Sequence, residues 1–149
     1  MKLKALVLPV TAAVLLTLGA PARAACPTEG CPAQSVGTIE LPAEGALVSG
    51  YVRVAGFALN GALISNVDLY IDGMEEVNRV TPSGGANINM PRPDVMQAFP
   101  QYAGTPGAAP GFEMSFRAAN YANGTHKLYV RVTDVNGCCY FLAPRTVKV

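Results

Sequence analysis

Residues 124–149 read GTHKLYVRVTDVNGCCYFLAPRTVKV, and the reading of this stretch decides the fold. Leu128, Val130 and Val132 alternate with Tyr129, Arg131 and Thr133. A period of two in residues of high β-propensity marks a strand with one buried face. Asn136-Gly137 offers the two positive-φ residues of a type I′ turn, so the spacing predicts a second strand folded back on the first. In that register Val135 lies opposite Cys138, Asp134 opposite Cys139 and Val132 opposite Phe141. Cys139, Phe141 and Arg145 then face the core and Cys138 faces away. A bulge near Ala143-Pro144, or an open end of the fold, is needed to accommodate Arg145. A lone hairpin is marginal in water, so a second sheet must cover its apolar face.

The same alternation recurs upstream. A strand is expected over 37–41, stopped by Pro42, and another over 46–58, with Val48, Gly50, Val52, Val54 and Gly56 on one parity and Tyr51 and Arg53 on the other. Asn60-Gly61 is a turn. Val67, Leu69 and Ile71 alternate with Asp68, Tyr70 and Asp72, followed by the hairpin signal Asp72-Gly73 and a short return strand over 77–80. Phe112, Met114 and Phe116 alternate with Glu113, Ser115 and Arg117. About seven short strands without a long helical period predict an all-β, immunoglobulin-like antiparallel sandwich.

Residues 82–111 interrupt this pattern and carry six of the twelve prolines. A connection of this length is uncommon unless it is functional or disordered. Pro93 suits a first helical position and Asp94 the positive end of a helix dipole, so a short helix is expected, with Val95, Met96 and Phe99 on one face. Residues 1–24 read as a signal peptide: Lys2 and Lys4, an apolar run interrupted by Pro9, then Ala22-Arg23-Ala24. Arg23 stands where a lipid-acceptor signal at Cys26 needs an aliphatic residue, and the apolar run is shorter than a membrane span. Residues 25–36 form a cysteine-containing leader, and 37–149 the domain. Cleavage after Ala24 leaves 125 residues with eight cations against ten carboxylates. That balance gives no footing for a nucleic-acid partner, and no span is expected after signal cleavage.

Cys26, Cys31, Cys138 and Cys139 in an exported chain favour disulfides. Neighbouring strand residues point to opposite faces, so a bond between Cys138 and Cys139 would be strained. This favours links from the leader pair to the hairpin tip and leaves open which cysteine joins which. A four-thiolate metal site is the rival, but adjacent strand cysteines make poor co-ligands. Neither a metal nor a cofactor is expected.

No nucleophile elbow or H-E-x-x-H motif occurs, and His126 is the single histidine, so no catalytic residue is assigned. Asp68, Asp72, Glu75 and Glu76 fall on an outward strand face and its turn, where charges are expected to be solvated rather than paired for glycoside hydrolysis. Asp72, Asp94 and Asp134 lie near turns and read as turn-stabilising residues before calcium ligands. Asn123-Gly124-Thr125 matches a glycosylation sequon and also a plain turn. Lys127, Arg131, Arg145 and Lys148 read as a charged sheet face or a weak anion-binding patch. The candidate ligand surface is the long segment with Met90, Arg92, Asp94, Phe99 and Tyr102, where aromatics stand beside polar groups.

The strings GYVRVAGFALNG (50–61), VDLYIDG (67–73), PRPDVMQAFPQYAG (91–104) and GFEMSFRAANYANGTHKLYVRVTD (111–134) together resemble a bacterial Ig-like domain of exported proteins. The resemblance implies an Ig-like sandwich used for adhesion, spacing or ligand presentation, generally without catalysis. Phe57 stands where such domains often carry Trp, and the adjacent cysteines depart from the pattern. The resulting expectation is an exported, non-catalytic module that binds a protein or glycan at the cell surface or outside the cell. A carbohydrate-binding module is the alternative, and a small exported enzyme the third.

Overall fold

The structure, a computed structural model, describes Cys26, Cys31 and residues 35–149. The predicted signal peptide and most of the 25–36 leader lie outside the described residues. In chain order the strands are β1 (Val36–Leu41), β2 (Ala46–Leu47), β3 (Tyr51–Leu59), β4 (Ile64–Ile71), β5 (Arg79–Val80), β6 (Asn87–Met90), β7 (Gly111–Arg117), β8 (Thr125–Asp134), β9 (Cys139–Phe141) and β10 (Arg145–Lys148). One sheet has the order β1-β3-β7-β6 and the other β2-β10-β8-β4-β5, with β9 paired to β8. All pairs are antiparallel except β2 with β10. Read as strand letters, these orders are A-B-E-D and A′-G-F-C-C′, so the domain is an immunoglobulin-like β-sandwich.

Alternation along each strand produces the core. Val54, Phe112 and Phe116 of one sheet meet Leu69, Leu128, Val130 and Val147 of the other, each at most 1 % exposed. The alternation of β3 puts position 56 on this inner face, and it is glycine because a Cβ there would overlap the Thr38 carbonyl oxygen and press on Phe112. The helix α1 (Pro93–Ala98) opens at Pro93 as expected and buries Val95.

The structure corrects several expectations. The single strand expected over 46–58 is two: the chain breaks before β3, where Gly50 takes φ +63°, and β2 pairs with the opposite sheet. Local alternation is the same whichever sheet a segment joins, so periodicity could not see this. The return strand over 77–80 shrinks to β5, because Glu76–Asn78 form a 3-10 turn.

The closing hairpin is displaced by one residue from the expected register. Thr133 pairs with Cys139, Val132 with Tyr140 and Arg131 with Phe141. Among the described non-glycine residues only Asp72 and Asn89 have positive φ, so Asn136 does not, whereas Gly137 has φ +83°. The loop is therefore a three-residue turn closed by a left-handed glycine rather than type I′. A slip of one residue exchanges the faces. Cys138 and Leu142 are buried, and Cys139 and Phe141 lie on the outer side. The extra residue is recovered at Ala143-Pro144: Leu142 N–H donates to Val130, yet Arg145 pairs with Leu128. Arg145 thus faces inward after all, at the seam between the sheets, where its guanidinium donates to the Ile39 carbonyl.

The outer face of β4 is also not solvated as expected. Asp68 is 5 % and Tyr70 0 % exposed. Arg131 binds Asp68 at 2.8 Å and Glu76 at 3.1 Å, and its guanidinium lies 5.3 Å from the Tyr70 ring centroid. Phe141 packs on Tyr70 at 5.7 Å. With Arg131 so engaged and Arg145 turned inward, the anion-binding patch suggested for the hairpin does not form.

Candidate functional site

Two β-bulges shape the outer face of the four-stranded sheet. Between Ile39 and Leu41 the first strand takes two steps against one from Gly56 to Ala55 on β3, which brings Glu40 and Leu41 together at a rim. Across the sheet, β6 takes three steps from Asn87 to Met90 against two on β7, with Asn89 at φ +53°. The Asn89 side chain holds this irregularity by accepting from Ile64 N–H at 3.0 Å and donating to its carbonyl at 2.8 Å.

The floor between the rims consists of small residues, Ala55 and Gly111. A Cβ on Gly111 would come within 2.9 Å of the Met90 Cβ and 3.0 Å of the Arg92 Cγ, so glycine is what permits this approach. The resulting groove holds about 290 Å³. It shares Leu41 and Arg53 with a second hollow of about 470 Å³ that runs to Leu47 and Tyr51.

The charged side chains around the groove are paired. Arg53 binds Glu113 at 2.5 Å, and this contact lowers the Glu113 pKa and raises that of Arg53. Arg92 forms a fork with both Glu40 oxygens at 2.7 and 2.9 Å and a second with Asp94 at 2.9 and 2.6 Å. The hydrogen bonds from Arg92 push Asp94 down to about 2. Arg92 also lies 5.7 Å from the Phe57 ring, and Phe57 packs on Phe99 at 5.9 Å. At the other end, Arg117 lies 5.6 Å from the ring of Tyr51, which is 69 % exposed.

Of the residues expected to form a ligand surface, Met90 and Arg92 line the groove and Asp94 and Phe99 brace it. Tyr102 belongs elsewhere, close enough to the partly buried Tyr140 to help raise that phenol's pKa, after burial itself and the Asp134 charge. Glu40, Tyr51, Arg53 and Glu113 were missed. For Tyr51 and Arg53 the signal lies in the outward parity of β3, where they and Phe57 flank the small Ala55, whereas Glu40 on β1 and Glu113 on β7 reach the groove only through strand pairing and the β1 bulge.

The carboxylates near turns serve the turns. Asp134 accepts from Asn136 and Cys138 N–H and from the Asn60 amide. Asp72 accepts from Lys127 N–H at 2.9 Å and lies 2.6 Å from His126 Nδ1. The His126 Nε2 faces the Ala122 carbonyl at 2.8 Å. With an acceptor at each ring nitrogen, led by that carbonyl and followed by Asp72, the His126 pKa rises above its ordinary 6.5. A raised folded-state pKa stabilises the fold fully below 6.5, and the contribution is lost as pH rises through the folded value. Thermal unfolding of the chain should therefore show Tm declining as pH rises above 6.5, and the His126→Gln variant should lose that part of the slope. An unchanged profile in the variant would refute this assignment.

Among the described residues, no group of three or more His, Cys, Asp or Glu is placed to hold a metal, and no helix is long and apolar enough to cross a membrane. The structure closes two disulfides, Cys26 to Cys139 and Cys31 to Cys138.

No protein-family model matches the chain, and no curated protein matches it. Among solved structures, it is similar to an endo-beta-1,4-mannanase from Thermotoga petrophila, with 9 % identity and a TM-score of 0.49 over 78 % of this chain. The chain spans only 20 % of the mannanase chain. It is also similar to fibronectin(III)-like modules of Clostridium thermocellum CbhA, with 18 % identity and a TM-score of 0.43, covering 76 % of this chain and 92 % of that one.

Proposed function

We propose that this chain is an exported, non-catalytic Ig-like module of the bacterial type, which binds or scaffolds a partner at the cell surface or outside the cell. The observation that carries the reading is the pair of disulfides fastening the leader to the tip of a rigid sandwich. Disulfides persist in oxidising compartments, and a β-sandwich is a scaffold on which binding surfaces are commonly carried. The candidate groove supports binding rather than chemistry: its carboxylates are held by arginines, and no base stands beside a nucleophile in it.

Thiol trapping during fractionation tests the reading. The full chain, expressed with its own N-terminus in a bacterial host, should leave the cytoplasm with its four cysteines protected from alkylation until reduced. A cytoplasmic chain with reactive thiols would overturn it.

A further inference from the structure

We propose that the outer face of the four-stranded sheet binds a neutral oligosaccharide chain, laid along the joined grooves from Met90 past Arg53 to Tyr51. This rests on the binding-module reading and names the ligand class. The first reason is shape. Two bulged strands flank a floor of Ala55 and Gly111, and the two hollows share Leu41 and Arg53, so the face carries an extended trough rather than a closed pocket. Such a surface suits a chain of repeating units better than a compact small molecule.

The second reason is the ring of Tyr51. It is 69 % exposed, yet Arg117 lies over it at 5.6 Å and braces it. A held aromatic ring offers flat apolar contact at low entropic cost, which matches the C–H face of a pyranose.

The third reason is charge. Arg53, Arg92, Glu40 and Glu113 line the trough, and Arg117 on Tyr51 and Asp94 on Arg92 flank it, three cations and three carboxylates. The balance offers no net attraction to a polyanion or a polycation. The paired groups still present guanidinium donors and carboxylate lone pairs side by side. A sugar hydroxyl can donate and accept at once, so adjacent hydroxyls satisfy such a pair without breaking it.

Affinity electrophoresis of the oxidised, mature chain decides the matter, in gels containing soluble neutral polysaccharides: β-1,4-glucan, glucomannan, galactomannan, xylan and starch. Polygalacturonate and heparin serve as anionic arms, and hexasaccharide titration follows any retardation. At least one neutral polysaccharide should retard the protein, and Tyr51→Ala should weaken binding about tenfold with Tm unchanged. The second variant, Ala55→Leu, raises the floor and should weaken the same binding independently of Tyr51. Lys148→Ala, on the other sheet, should bind as the parent does. Retardation by the anionic polymers alone, binding indifferent to both groove variants, or Tyr51-dependent self-association without glycan binding would overturn the assignment. So would no retardation by any polymer, and if the exported chain still had protected thiols, the glycan would fall while the scaffolding reading stood.

Discussion

Replacing all four cysteines by serine is expected to lower the unfolding free energy by about 7 kcal/mol, whereas removing either disulfide alone should cost only about 2 kcal/mol. The asymmetry follows from the loops. The disulfides span sequence separations of 113 and 107 residues, so the first to close removes the entropy of a loop comprising almost the whole domain, about 5 kcal/mol. Once one is closed, the other completes only the small ring between the leader pair and the adjacent hairpin cysteines, which contributes about 2 kcal/mol. The paired variants Cys26→Ser with Cys139→Ser, and Cys31→Ser with Cys138→Ser, avoid leaving an odd thiol. Urea unfolding of both, beside the fourfold variant, measures the difference. Single-bridge losses that add up to the fourfold loss would contradict this account. Since the total stability of a domain is itself about 5–15 kcal/mol, the fourfold variant should lose roughly half of its stability or more.

The second large effect is expected at Asp134→Ala, about 3 kcal/mol. Asp134 is 2 % exposed, and its carboxylate accepts from Asn136 N–H at 2.8 Å, from Cys138 N–H at 3.0 Å and from the Asn60 amide at 2.7 Å. Alanine strands these donors in the turn and severs the tie between the closing hairpin and the turn after β3. Asp134→Asn keeps one acceptor for the two backbone donors and should lose about half as much. Urea denaturation checks the ranking, and equal effects of the two substitutions would show that the backbone donors do not matter.

This residue also explains why the hairpin was read one step out. Asn-Gly between alternating residues is the strongest local signal for a two-residue turn. Asp134 competes with it by gripping the N–H groups of Asn136 and Cys138, which favours a turn of three residues ending on Gly137. The other Asp134 oxygen is held by Asn60, which is distant in sequence and therefore invisible to local pattern. Asp68 is a similar case. Its outward parity was legible, but its burial comes from Arg131, Arg79 and the turn bearing Glu76, none of which alternation along β4 reveals.

The candidate site was half legible. The segment with Met90 and Arg92 stood out because it broke the strand pattern, and the structure puts both in the groove. Glu40, Tyr51, Arg53 and Glu113 looked like ordinary outward residues of ordinary strands, because a groove on a sheet face is made by what neighbouring strands lack. Here Ala55 and Gly111 are small, and bulges on β1 and β6 raise the rims.

Sequence alone marked most of the strands, the core faces of β3, β4, β7 and β8, the sandwich class and the preference for joining the leader cysteines to the hairpin tip, because these follow from side-chain alternation and from the geometry of adjacent residues. Tertiary structure decided which strand joins which sheet, the register of the last hairpin, which of Cys138 and Cys139 faces inward, and where the open groove lies. Those outcomes depend on contacts between residues far apart in the chain, whose partners no local period encodes.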